Sequence, residues 1–259
     1  MTRAAIVATT LAGALALAGC ASTVAGTGTR GSGAPAATSP GFPSSSAPVA
    51  GGNAALTPTQ LERATKNALT SATAFRMKGA GNDGSETIAF DIHYGESSSD
   101  GSMTIAGLRV QLRYVRPDIY MKAGADFWKS VGGVGGTPSA KDQAALALLR
   151  DKWVHLRPGS AGLAQLGQFA IREKFLAQAG TEDPSTTYSK GPSTTIDGVP
   201  AVSFKASDDG TVVYVPAGGT PYPIRIVAGG GAGTFNLSDW NVAFSAPKPP
   251  ADQVVELPK

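Results

Sequence analysis

The residue best placed to do chemistry is Cys20, the only cysteine, which stands directly behind Leu17-Ala18-Gly19. A thiol without a second cysteine to pair with cannot form an intramolecular disulfide, but it can be acylated. The remaining candidates are weaker. His93 and His155 lie far apart in strand-like contexts, and neither has Asp, Glu or Cys at metal-ligand spacing. Glu182-Asp183 and Asp208-Asp209 sit in turn contexts and read as solvated carboxylates rather than a glycosidase pair. Gly79-Ala80-Gly81-Asn82-Asp83-Gly84 and Gly26-Thr27-Gly28-Thr29-Arg30-Gly31 both fit GxGxxG. A phosphate site needs a helix straight after the glycines, however, and the first match runs into an alternating segment while the second lies in a low-complexity stretch. No Gly-x-Ser-x-Gly elbow occurs, and Ser97-Ser98-Ser99 reads as a loop. The expectation is a protein that is not an enzyme and that takes no metal or cofactor.

Arg3 forms a positive n-region and residues 4–18 an apolar stretch. That stretch is shorter than the about 20 residues of a spanning helix, so residues 1–19 read as a secretory signal peptide. Leu17-Ala18-Gly19-Cys20 resembles the bacterial lipobox, in which small residues fit the peptidase groove and the cysteine thiol is diacylated before cleavage. The expected mature protein is exported and anchored to the outer face of the cell membrane through lipidated Cys20. Each buried CH₂ contributes about 0.8 kcal/mol, and two or three acyl chains hold stably where one is marginal.

The anchor needs a domain to hold. Residues 21–55 are almost wholly Ala, Gly, Ser, Thr and Pro. They bury too little to offset their ordering entropy, and as a flexible tether they span roughly 30–35 Å. The expected organisation is residues 1–19 signal peptide, 20–55 lipidated cysteine and tether, and 56–259 one folded domain. The net charge is +3 with signs alternating along the chain, so no basic stripe points to nucleic acid.

Within the domain, Thr57-Pro58-Thr59-Gln60 carries a helix start with a capping box. Leu61, Ala64, Ala68 and Leu69 follow on one face, opposite Glu62, Arg63, Lys66 and Asn67. From Ala74 the period becomes two, through Phe75 and Met77, Ile88, Phe90, Ile92 and Tyr94, Met103 and Ile105, and Leu108, Val110, Leu112 and Tyr114. With turn signals at Asn82-Asp83-Gly84 and Ser99-Asp100-Gly101, this predicts an antiparallel meander with one wet and one apolar face. Residues 118–122 and Phe127-Trp128 continue the sheet, Thr137-Pro138 opens a helix, and residues 153–156 form a strand. A longer helix covers 160–179, apolar on most sides. Strands at 199–204, 212–215, 224–227 and 234–244 complete an α+β domain. Trp128, Trp153 and Trp240 are expected in the core.

Several phrases add a resemblance. Tyr114-Val115-Arg116-Pro117-Asp118-Ile119-Tyr120, Lys152-Trp153-Val154, Ile196-Asp197-Gly198-Val199-Pro200-Ala201, Pro221-Tyr222-Pro223-Ile224-Arg225 and Leu237-Ser238-Asp239-Trp240 resemble the actinobacterial LppX/LprAFG lipoproteins of the LolA-like group, over about residues 56–257. The resemblance implies a curved antiparallel half-barrel with helices across its concave face, and acyl chains held between sheet and helices. It assigns lipid binding to Phe75, Met77, Ile88, Phe90, Ile92, Met103, Ile105, Leu108, Val110 and Leu112 of the sheet, and to Leu163, Leu166 and Phe169 of the helix. The residues themselves leave two possibilities: an apolar slot that carries a lipid or acylated ligand, or a filled core in an envelope protein that docks a protein partner. The longer tether and the loop Gly132-Gly133-Val134-Gly135-Gly136 depart from the family pattern.

Overall fold

The computed structural model describes residues 52–82, 86–132, 137–156, 167–179 and 185–256. Cys20, residues 21–51 of the expected tether, and Leu163 and Leu166 lie outside the described residues. The end of that tether needs correction: Asn53–Ala55 form a short 3-10 helix, and Asn53 is buried because its backbone N–H donates to Ala217 O at 2.9 Å and its side-chain amide to Pro216 O at 2.7 Å, so the folded domain begins before residue 56.

Helix α1 (Pro58–Ser71) begins as its sequence dictates. The Thr57 hydroxyl accepts from the Gln60 backbone N–H at 3.3 Å, the Gln60 side chain accepts from the Thr57 N–H at 3.0 Å, and Pro58 fills the first turn. The chain then lays down β1 (Phe75–Asn82), β2 (Thr87–Tyr94), β3 (Ser98–Ile105), β4 (Leu108–Val115) and β5 (Asp118–Ala123) as an antiparallel meander. Helices α2 (Ala125–Val131) and α3 (Ala140–Leu149) precede β6 (Trp153–Leu156), and α4 (Arg172–Ala179) follows it. The last third supplies β7 (Tyr188–Lys190), β8 (Thr194–Ile196), β9 (Val199–Ala206), β10 (Val212–Pro216), β11 (Arg225–Ala228), β12 (Gly233–Ser238) and β13 (Val254–Glu256).

The described strands make one open, curved sheet in the order β13-β6-β5-β4-β3-β2-β1-β12-β11-β10-β9-β7, with β8 also paired to β9. Its pairings are antiparallel except β13 with β6, so the sheet is mixed rather than wholly antiparallel. The register makes one row of Phe204, Val213, Ile226, Phe235, Gly79, Phe90, Met103, Val110 and Ala123, which crosses nine strands on a single face. α2, α3, α4 and α1 all pack on that inner face, α1 through Leu61 against Val202, Phe204 and Val215.

Curvature is built in by glycine where strands crowd. A Cβ on Gly79 would lie 2.2 Å from the Thr234 carbonyl oxygen, and one on Gly101 would lie 2.3 Å from that of Asp91. Only a residue without a side chain lets neighbouring backbones close up on the inner side of the bend.

After β12, Asp239 and Asn241 take positive φ and turn the chain outward. Residues 239–253 then run as a strap across the outer face. Its contacts in chain order are Asn241 N–H to Ala74 O at 2.8 Å, the Phe244 ring on His93, Ala246 N–H to Ser98 Oγ at 2.9 Å, and Lys248 to Asp118 at 2.7 Å. β13 then closes the β6 edge.

Several expectations need correction. Phe127-Trp128 is helical: two adjacent rings in a strand would point one into water, whereas α2 buries both and lets the Trp128 indole donate to Ala123 O at 3.1 Å. Ser98 and Ser99 belong to β3 and are buried, so Ser99-Asp100-Gly101 lies within the strand rather than in a turn. The strand expected at 234–244 ends at Ser238, where the positive φ of Asp239 breaks it. Glu62 and Lys66 are buried rather than wet, because α1 lies over β7 and β9 on the stripe of Leu61, Glu62, Thr65 and Lys66. The two charges compensate at 3.8 Å. Of the helix expected at 160–179, Arg172–Ala179 is helical and residues 169–171 interrupt it, while 160–166 fall outside the described residues.

Candidate functional site

Phe75, Met77, Ile92, Met103, Val110 and Leu112 lie in the inner core, each at most 5% exposed. Ile88, Phe90, Ile105, Leu108 and Phe169 pack against the same core but are only half buried. The division is spatial. Half-buried Ile88, Ile105 and Leu108 form one register row at the 82–87 and 105–108 ends of the strands; half-buried Phe90 lies in the next row beside fully buried Met103 and Val110, and Ile92 and Leu112 lie further toward the other end. α3 adds half-buried Leu146 and Leu149, with Leu148 68% exposed, although none of its residues is buried. The structure therefore brings the expected strand residues and Phe169 together on one face.

That face also carries two polar anchors. The Tyr94 hydroxyl donates to the Phe169 carbonyl at 2.8 Å, and the Ser99 hydroxyl donates to the next carbonyl, Ala170 O. Burial pushes the Tyr94 phenol well above its ordinary range, so it stays protonated and donates. Arg172 donates to Ala72 O and so ties the start of α4 to the end of α1. The segment 169–172 is thus pinned across the sheet by side chains from β2 and β3 and by its own arginine. Ser99 continues the alternation of Gly101, Met103 and Ile105, a signal obscured by its serine neighbours.

The closed end of the face is aromatic. Trp240 stacks on Phe75 at 5.1 Å and on Tyr222 at 4.7 Å, and Phe75 meets Tyr94 at 4.9 Å. The Trp240 indole donates to Pro223 O at 3.1 Å. Trp153 lies on the opposite face, buried beneath the Arg113 guanidinium 4.8 Å from its ring.

Two clefts are formed by described residues, each involving outer-face side chains. One, of about 440 Å³, lies between the β8–β9 turn and β12, walled by Ile196, Val199, Ile224 and Trp240 with Lys78 at its rim. The other, of about 380 Å³, is polar and lies over β1 to β4 beside Phe244. In it Arg76 holds Asp91 with two hydrogen bonds of 2.8 and 2.9 Å, which keeps the Asp91 carboxyl below its ordinary range. His93 stacks on Phe244 with ring centroids 4.1 Å apart, and burial pushes its imidazole down from the ordinary 6.5.

No protein family and no curated protein matches the chain. Among solved structures it is similar to an uncharacterized conserved protein from Thermus thermophilus at 8% identity and TM-score 0.35, covering 77% of this chain and 98% of that one. It is also similar to a chain of the Pseudomonas aeruginosa MucA/MucB complex at 13% identity and TM-score 0.34, covering 76% of this chain and 59% of that one. A DUF1329 family protein from Desulfovibrio piger is similar at 10% identity and TM-score 0.24, covering 73% and 96%. All three are distant likenesses.

Proposed function

We propose that the protein binds lipid or acylated molecules between its sheet and helices, and carries or shields them in the cell envelope without making or breaking a bond. Lipidated Cys20 and the tether would keep it at the membrane. The observation that carries this reading is the uneven burial of one continuous apolar face, closed around Ile92, Val110 and Leu112 but half open around Ile88, Phe90, Ile105, Leu108 and Phe169. An acyl chain laid on that open end would remove its own methylenes from water at about 0.8 kcal/mol each, together with the protein surface it covers. Binding would then be limited by chain length rather than by any polar recognition.

A second reading, a non-transporting envelope protein that docks a protein partner, is favoured by the filled packing at the Tyr94 end. One experiment separates them: mass spectrometry of molecules that co-purify with the chain from its native host. Stoichiometric lipid, lost in Phe90→Asp but kept in Lys190→Ala, whose side chain is exposed on β7 outside both clefts, supports the carrier. A lipid-free protein that unfolds as cooperatively as the wild type does in both variants supports the docking protein.

A further inference from the structure

The outer-face cleft beside Phe244 has more hydrogen-bond donors than its own acceptors can use. Its floor is a grid set by strand register: Arg76, His93, Asp100 and Arg113 in one row, Asp91, Ser102 and Gln111 in the next, and Arg109 beyond. Three of the four carboxylate oxygens of Asp91 and Asp100 already accept from Arg76 and Arg113. Arg109 is exposed and makes no hydrogen bond or salt bridge with any described residue. His93 Nε2 is buried and has no hydrogen-bond partner. Three arginines against two aspartates leave one positive charge in a cleft whose remaining side chains, Ser102 and Gln111, can both donate.

We infer that this cleft binds an oxyanion, a phosphate or carboxylate group borne by a small solute or by a lipid headgroup, with Arg109 as its principal charge and His93, Ser102 and Gln111 as further donors. Pairing of the aspartates by arginine lets an anion approach without meeting bare carboxylates. About 380 Å³ leaves room for the molecule that carries the group, with the Phe244 ring as one wall. The charged groups acting on His93 are Arg76, Asp91 and, from the strap, Asp239. An anion at Nε2 adds to the acidic side of that balance, so occupancy favours the imidazolium and strengthens as pH falls. This inference stands apart from lipid binding on the inner face.

The test uses the full chain with ¹⁵N-labelled histidine, because His93 and His155 give separate reporters and His155 lies outside the cleft. Inorganic phosphate, added at constant ionic strength against chloride, should move the His93 ring signals along a saturating curve, raise its titration midpoint and leave those of His155 in place. Arg109→Gln should weaken binding at least tenfold while shifting the thermal midpoint by no more than about a degree, since Arg109 makes no hydrogen bond or salt bridge with a described residue and is only a minor, long-range influence on Asp91. Short-chain phosphatidylglycerol run in parallel names the source: tighter saturation than phosphate means a headgroup, weaker saturation means a soluble solute. A shift that fails to saturate with either probe, or equal affinity in Arg109→Gln, overturns the inference.

Discussion

Tyr94, fully buried on β2, donates its hydroxyl hydrogen to the backbone carbonyl of Phe169 at 2.8 Å. With Ser99 serving Ala170 in the same way, two neighbouring strands satisfy two successive carbonyls of a segment that has left its helix. A carbonyl stranded in an apolar interior costs about 1–3 kcal/mol. Tyr94→Phe keeps the ring and removes only the donor, so it should cost about that much in urea unfolding. It should also speed amide exchange over 169–176 more than in β4. A change below the measurement error would show that water replaces the bond.

The curvature argument predicts a contrast between glycines. Gly79→Ala must push a methyl against the Thr234 carbonyl and the Phe235 backbone, and should destabilise the domain by about 3 kcal/mol or more, as overpacking against backbone does. Gly218→Ala, where nothing lies within 4 Å, should leave the thermal midpoint within about a degree of the wild type. Equal effects would mean that the bend does not depend on the missing side chain.

His93 gives a pH signature of known sign. Its imidazole is pushed below 6.5 by burial, so the folded state binds fewer protons than the unfolded chain does. The stability it contributes is present above pH 6.5 and is lost as pH falls through the folded value. The urea midpoint should fall between about pH 7 and pH 5 in phosphate-free buffer, and the slope should flatten in His93→Gln. An unchanged slope would assign the effect to other groups.

The strap has an acid limit set by Asp118. Lys248 holds that carboxyl below its ordinary 3.8 by a direct hydrogen bond, assisted by His155. The interaction is therefore fully present above pH 3.8 and is lost as pH falls through the folded value. Lys248→Ala should raise the pH at which β13 loses amide protection, read from protection factors across the acid range. Release of β13 at the same pH in both proteins would show that His155 alone sets it.

Local signals were legible where one period governed a segment. The capping box at Thr57 and Gln60 and the alternation from Phe75 to Tyr114 placed α1 and the meander without tertiary information. The α+β class and helices packed on one face of a sheet followed from the same patterns, whereas the sheet's curvature was implied only by the resemblance. Legibility failed where a distant element decides the environment. Glu62 and Lys66 look solvated by type, and only the position of α1 over β7 and β9 buries them. Ser98 and Ser99 look like loop residues because serine favours turns, yet the strap's Ala246 and the 169–172 segment supply the partners that hold them in a strand. The polar cleft was hidden for a similar reason: Arg76, His93 and Arg109 come from three different strands, and Phe244 reaches them only after the turn at Asp239.

The strap orders events in time as well as parts in space. β12 pairs with β1, and β13, at the far end of the strap, pairs with β6, so residues 233–256 close both flanks of a sheet whose strands β1–β6 were written into the chain some hundred residues earlier. A polypeptide emerging N-terminus first has strands β1–β6 available with two unpaired edges until β12 and β13 have appeared to pair with β1 and β6. Closure of this sheet is therefore late and slow for a sheet built largely from neighbours, because its edge contacts join segments about a hundred residues or more apart.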